Sequence, residues 1–154
     1  MIEIIKEKSV AITGHRVLRE DFDREKVKNT FVERIRNGFD TFLIGMAIGF
    51  DAVCFQILEE IRKLLPIKII ACIPCEHQDQ KFSFKQQKEY RRMLEVADDR
   101  ILISKDYTPY CMQKRNMFMV DNSSLLIAYL REAKGGAKNT VEYAKKQNVS
   151  IIYV

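Results

Sequence analysis

Tryptophan is missing altogether from this chain of 154 residues, and glycine, proline and histidine are sparse at six, three and two. That scarcity excludes collagen-like and low-complexity architectures, and it makes the position of each glycine informative. No apolar run approaches the ~18 residues of a membrane-spanning helix, so no membrane association is expected. The opening segment MIEIIKEKS has neither the apolar h-region nor the small-residue cleavage site of a signal peptide, and a cytoplasmic location is expected. Cysteines stand only at 54, 72, 75 and 111 and histidines at 15 and 77, too scattered for the ligands of a structural zinc. No metal and no other cofactor is expected. The CIPC segment, 72–75, has the spacing of a redox pair, but Cys72 falls in an apolar run where a small buried hydrophobe belongs. A structural role is expected for Cys72 and Cys75.

What is present is an alternation. Short β-branched runs at 8–13, 41–45, 67–73, 100–104, 124–129 and 149–153 read as strands, and the longer stretches between them carry apolar residues at helical spacing. Helices are expected from Asp21 or Asp23 to Asn37, from Gly49 to Pro66 with Leu64 and Leu65 in its apolar stripe, and at 84–97, 110–122 and 139–147. This is the α/β class: a three-layer, Rossmann-like domain spanning 1–154, with a mostly parallel sheet of about six strands and helices on both faces. In such sheets ligands bind beyond the carboxyl ends of the strands, so function is sought in the residues that follow each strand.

Three stretches answer that filter. Thr13, Gly14, His15 and Arg16 follow the first strand, where glycine permits a tight turn and the two basic side chains can meet an anion. GMAIGFD, 45–51, sets Gly45, Ala47 and Gly49 ahead of a helix whose first turn holds Asp51, a place where backbone amides and the helix dipole favour negative charge. REAKGGAKNT, 131–140, repeats the theme with Gly135, Gly136 and Thr140. The fourth helix adds Arg115 and Asn116, an arginine able to clamp a phosphate. None of these loops has G-x-G-x-x-G or P-loop spacing, which argues against standard dinucleotide and ATP-hydrolysing sites. Net charge of +5 favours an anionic partner, but acidic and basic residues are interleaved and no aromatic-rich basic stripe stands out.

AITGHR, GMAIGFD, IPCEHQDQKF, YTPYCMQKRNMFMVDNSSLLIAYL and GGAKNTVEYA, in that order and over nearly the whole chain, together resemble the YoqJ/YpsA-like branch of the SLOG superfamily. That Rossmann-like group is named for the DNA-processing protein Smf/DprA and the Lonely-Guy enzymes. The resemblance implies a nucleotide or nucleotide-derived ligand held by Thr13, Gly14, Arg16, Gly45, Ala47, Gly49, Asp51, Gln78, Arg115, Asn116, Gly135, Gly136 and Thr140. It also implies that Pro74, Glu76 and Phe82 belong to the family segment after the third strand. Against the Lonely-Guy pattern, Lys134, Lys138 and Asn139 replace a proline, a glycine and a threonine, while Arg115 and Glu142 fall where that family's arginine and catalytic glutamate stand. Three functions follow: a non-catalytic sensor or processing module that binds a nucleotide, a nucleoside monophosphate phosphoribohydrolase using Arg115 and Glu142, or a DprA-like binder of single-stranded DNA. A homodimer is a further expectation, with Phe82, Phe84 and Phe118 as interface aromatics.

Overall fold

The computed structural model describes residues 2–154. A short 3₁₀ turn at Lys6–Lys8 leads into β1 (Ser9–Thr13), followed by α1 (Arg24–Arg36), β2 (Thr41–Ile44), α2 (Phe50–Arg62), β3 (Lys68–Ile73), α3 (Phe84–Val96), β4 (Asp99–Leu102), α4 (Cys111–Asp121), β5 (Leu125–Ala128), α5 (Gly136–Lys146) and β6 (Ser150–Tyr153). The six strands form one sheet in the order β4-β3-β2-β1-β5-β6, and every neighbouring pair is parallel.

Alternation along each strand divides the core in two. Val10, Ile12, Phe42, Ile44, Ile69, Ala71 and Ile127 face α1, α2 and α3, where Phe31, Phe55, Leu58 and Met93 cover them. Ala11, Leu43, Ile70, Cys72, Leu126 and Ala128 face α4 and α5, under Met119, Val120, Val141 and Ala144. The central strands are apolar on both faces because both faces are covered.

Local chemistry sets the helix starts. Asp23 caps α1 by accepting from Lys26 N at 3.1 Å, and Ser83 with Gln86 forms a reciprocal capping box on α3. Elsewhere the boundaries differ from the sequence expectation. α2 stops at Arg62, and Leu64 is 86% exposed instead of joining the apolar stripe. Pro66 disfavours helical backbone at Leu65, and the last turn tightens through Leu64 N donating to Ile61 O at 2.9 Å. α5 begins at Gly136, three residues before the expected start: Gly135, at φ +105°, turns the chain and its carbonyl accepts from Asn139 N at 3.0 Å. Of the three aromatics expected at an interface, only Phe84 is strongly exposed; Phe82 and Phe118 pack partly against the two cores.

All four cysteines are free and buried. Cys72 lies in the α4/α5 core, where burial pushes its thiol up to about 12, and the thiol beside Cys75 is that of Cys111 rather than Cys72. No described helix is long and apolar enough to cross a membrane.

Candidate functional site

Strand order reverses between β1 and β5, the usual place for a ligand crevice. Here that place is filled. His15 reaches from the β1 loop and its Nε2 accepts two backbone hydrogen bonds, from Arg131 N at 2.8 Å and Glu132 N at 3.1 Å. An accepting Nε2 carries no proton, so the imidazole is neutral with its hydrogen on Nδ1. Tyr129 stacks on Phe50 with ring centroids 5.3 Å apart, Arg131 lies 4.4 Å over the Tyr129 ring, and the Tyr129 hydroxyl accepts from Arg19 N at 2.9 Å. Arg19 pairs in turn with Glu132, and Arg131 with Asp21 at 2.9 Å.

The opening lies to one side, above β2, β3 and the start of α4. A cleft of about 630 Å³ is lined by Arg16 after β1, Ala47 and Ile48 after β2, the segment 75–78 with Gln80, Lys81 and Phe82 after β3, Tyr107 after β4, and Met112 and Arg115 on α4. That volume suits a small-molecule site, on the order of 300–1,000 Å³. A shallower depression of about 360 Å³ adjoins it through His77 and Gln80; its arginine, Arg91, is paired with Asp79 at 3.5 Å.

The Gly45 carbonyl organises the cleft floor. It accepts from the Arg115 guanidinium and from Gln78 Nε2 at 3.0 Å, while Gln78 Oε1 accepts from the Tyr90 hydroxyl at 3.0 Å. Arg115 Nε donates to Asn116 Oδ1 at 2.7 Å. Arg115 is only 5% exposed and, among the described residues, has no carboxylate within ion-pair distance. Arg16 likewise has no carboxylate within ion-pair distance among the described residues, and its guanidinium donates to Met112 Sδ at 3.8 Å. The glycines in this region make room for protein rather than for open space. A Cβ on Gly14 would run into the Phe50 ring, one on Gly49 into the Arg16 carbonyl, and one on Gly45 would sit 2.8 Å from the Arg115 guanidinium. Phe50 N donates to His15 O at 3.0 Å, completing the seam between the loops after β1 and β2.

Asp51 lies behind this floor. Its Oδ2 accepts from Ala47 N at 3.1 Å, its Oδ1 is buried without a partner, and burial pushes its carboxyl up to about 6 although Arg115 draws it down. Two residues beside the cleft, Met46 at φ +65° and His77 at φ +61°, hold left-handed backbone that side chains other than glycine rarely adopt.

Of the residues singled out in the sequence, Arg16, Ala47, Gln78 and Arg115 meet around the cleft. Gly14, Gly45, Gly49, Asp51 and Asn116 frame it from behind, and Thr13 ends β1 with its carbonyl accepting from Tyr129 N at 3.0 Å. Gly135, Gly136 and Thr140 are not in the cleft lining: a Cβ at either glycine meets nothing within 4 Å, and Thr140 Oγ1 donates back to Gly136 O at 2.8 Å. Glu142 is on the surface of α5, paired with Lys138 at 2.9 Å and Lys145 at 3.5 Å. Nine lining residues were not singled out for binding by sequence reasoning, among them Glu76, Tyr107 and Met112; Tyr107 was within reach of it, because it follows a strand like the others.

Two groups near the site make stability depend on pH in opposite senses. Asp51 holds its proton more tightly folded than unfolded, so its contribution is complete only below about pH 4 and declines, by on the order of 3 kcal/mol, as pH rises through about 6. His15 is pulled the other way, chiefly by desolvation, so its contribution is present above the ordinary imidazole value near 6.5 and is lost as pH falls through its lowered one. Thermal unfolding across pH 4–8 should therefore show Asp51→Asn gaining on the parent chain as pH rises. His15→Ala should lose more at pH 8 than at pH 5; parallel curves would contradict either assignment.

Comparison with known proteins agrees with this architecture. The YpsA family model, described as the YspA SLOG family, matches residues 11–153. The uncharacterized SPbeta prophage-derived protein YoqJ of Bacillus subtilis (strain 168) is 34% identical over 118 residues, covering 68% of this chain and 69% of YoqJ. A UPF0398 protein of Listeria monocytogenes serotype 4a (strain HCC23) is 25% identical over 144 residues, covering 85% of this chain and 80% of its own. DNA processing protein A (DprA) of Streptococcus pneumoniae superimposes with a TM-score of 0.69 at 18% identity, over 97% of this chain and 50% of that one. DprA of Helicobacter pylori, solved for its single-stranded DNA binding mode, gives 0.69 at 20% identity, over 96% and 65%. The chain thus corresponds to half of one DprA and under two thirds of the other, and at these identities the likeness speaks for the fold. Taken with the match over residues 11–153, the all-parallel order β4-β3-β2-β1-β5-β6 makes this chain a member of the YpsA-type SLOG family.

Proposed function

We propose that the chain binds a nucleotide or nucleotide-derived anion in the cleft above β2 and β3, as a non-catalytic sensor or processing module. The observation that carries the proposal is the pair of arginines, Arg16 and Arg115, that line one cleft without a carboxylate partner among the described residues. Asp51, the carboxylate that acts on the buried Arg115 guanidinium, forms no ion pair with it and is pushed by burial toward its neutral form, so an anion in the cleft supplies compensation the protein gives only in part. The left-handed backbone at Met46 and His77 adds support, since strain of this kind is held where a site is preorganised. Phosphoribohydrolase chemistry is less well supported, because Glu142 is engaged by two lysines of its own helix and does not line the cleft with Arg115. Single-stranded DNA binding rests on a net charge of +5 and a fold likeness at 18–20% identity.

Thermal shift against AMP, NAD, ADP-ribose and cyclic nucleotides tests the proposal. A ligand at a hundred times its Kd adds about 2.7 kcal/mol to stability, which for a chain of this size raises Tm by roughly 5–10 °C. AMP in the same samples should stay uncut. A flat panel would remove the nucleotide reading, and release of free base would replace the sensor by the hydrolase.

A further inference from the structure

Seven of the fifteen phenylalanine and tyrosine rings pack on another aromatic ring. His15, Phe22, Phe50 and Tyr129 form one cluster, Phe31 packs on Phe42, and Phe82, although it lines the cleft, presents its ring edgewise to Tyr90 at 5.6 Å. Phe84, Tyr107, Tyr110 and Tyr153 are all exposed without an aromatic partner among the described residues, and of these Tyr107, 72% exposed, is the one that lines the cleft. Its position is nevertheless fixed from both sides. Ile103 N donates to Ile73 O at 2.9 Å, Ser104 N to Pro74 O at 3.1 Å and Glu76 N to Lys105 O at 3.3 Å, while beyond it Cys111 N donates to Thr108 O at 3.2 Å. The ring thus stands on a short tethered arch, a flat apolar surface open toward the cleft.

The cleft also has polarity. Arg16 follows β1 and Tyr107 follows β4, three strand spacings away, or about 14 Å. Arg115 lies between, on α4. An anionic group is served toward the arginines and a planar ring at the β4 side.

We propose that Tyr107 is the platform on which the base of the bound nucleotide stacks, making the cleft selective for base-bearing phosphates over sugar phosphates. This rests on the nucleotide reading above and adds an orientation to it: phosphate toward Arg16 and Arg115, base over β4. Stacking on an aromatic side chain tolerates any base, because every base has a π face, so the selectivity is for a ring and not for adenine.

Calorimetric titration with AMP and with ribose 5-phosphate separates stacking of the base from binding of the phosphate. The parent chain should prefer AMP by about 5- to 150-fold, the range stacking supplies. Tyr107→Ala should abolish that preference by weakening AMP while leaving ribose 5-phosphate unchanged, and Tyr107→Phe should keep it. Since the chain has no tryptophan, Tyr107→Trp also provides a single indole emitter, which AMP should quench and ribose 5-phosphate should not. Equal affinity of the parent chain for both probes, or an unchanged AMP affinity in Tyr107→Ala, overturns the stacking assignment and leaves the anion cleft standing. Binding of neither probe overturns the nucleotide reading, and the assignment with it.

Discussion

Replacing Gly49 by alanine should lower stability by about 3 kcal/mol or more, a fall in Tm on the order of 10 °C, whereas the same change at Gly136 should raise it slightly. Both are glycines at a helix start following a strand, and sequence alone gives no reason to separate them. Gly49 holds φ +80°, ψ −121°, a conformation an L residue pays heavily to adopt, and its Cβ would run into the backbone carbonyl of Arg16, which no side-chain rotation can relieve. Gly136 is the first residue of α5, its φ is unexceptional, and a Cβ there meets nothing within 4 Å. Alanine at such a site gains roughly 0.5–1 kcal/mol from the lower entropy of the unfolded chain and better helix propensity. Thermal melts of the two variants side by side are the check. A Gly49→Ala chain melting with its parent would mean that the loops after β1 and β2 are not packed as described.

The second large effect belongs to Arg115. Arg115→Met should retain the fold and weaken AMP binding by about 100-fold, the loss of one or two charge-assisted hydrogen bonds to an anion. The fold survives because Gln78 continues to donate to the Gly45 carbonyl at 3.0 Å, because Arg115 is in no ion pair that its loss would break, and because its removal relieves the cost of burying the charge. Binding does not survive, because only two of the guanidinium N–H groups are spent on protein, one on Gly45 and one on Asn116, and the remainder are available to the cleft. Asp51 would respond as well: without Arg115 to draw it down, its carboxyl moves further above its present value of about 6 and stays protonated to higher pH. A melt near that of the parent together with undiminished AMP affinity would place the anion elsewhere.

Much of the scaffold is legible in the residues. All six strands and five helices follow from β-branched runs and helical spacing, because a sheet covered on both faces must be apolar on both, and this is a local property of each segment. Parallel pairing follows from the crossover helices. The glycine loops were legible only in part. Glycine at 14, 45 and 49 signals that something approaches the backbone closely, but the approaching groups are Phe50, Arg115 and the Arg16 carbonyl, and those meet only once the strands are ordered. The position of the cleft was least accessible. Its shift away from the reversal of strand order depends on His15 bracing the amides of residues 131 and 132, a contact across 116 and 117 positions of sequence that no local pattern encodes. Tyr107, by contrast, obeyed the rule that pointed to the other loops.

The brace has a consequence for how this protein can change over generations. By sealing the seam between β1 and β5, it partitions the molecule: the cleft is lined from within residues 16–115, and the segment from β5 onward completes the sheet and covers its α4/α5 face without entering the lining. The residues that line the cleft and those that complete the sheet thus lie in successive stretches of the chain. Insertions in the exposed turn before α5 should leave the cleft lining as it is, whereas an exchanged β5–α5–β6 unit spares it only where the amides at 131 and 132 still meet His15.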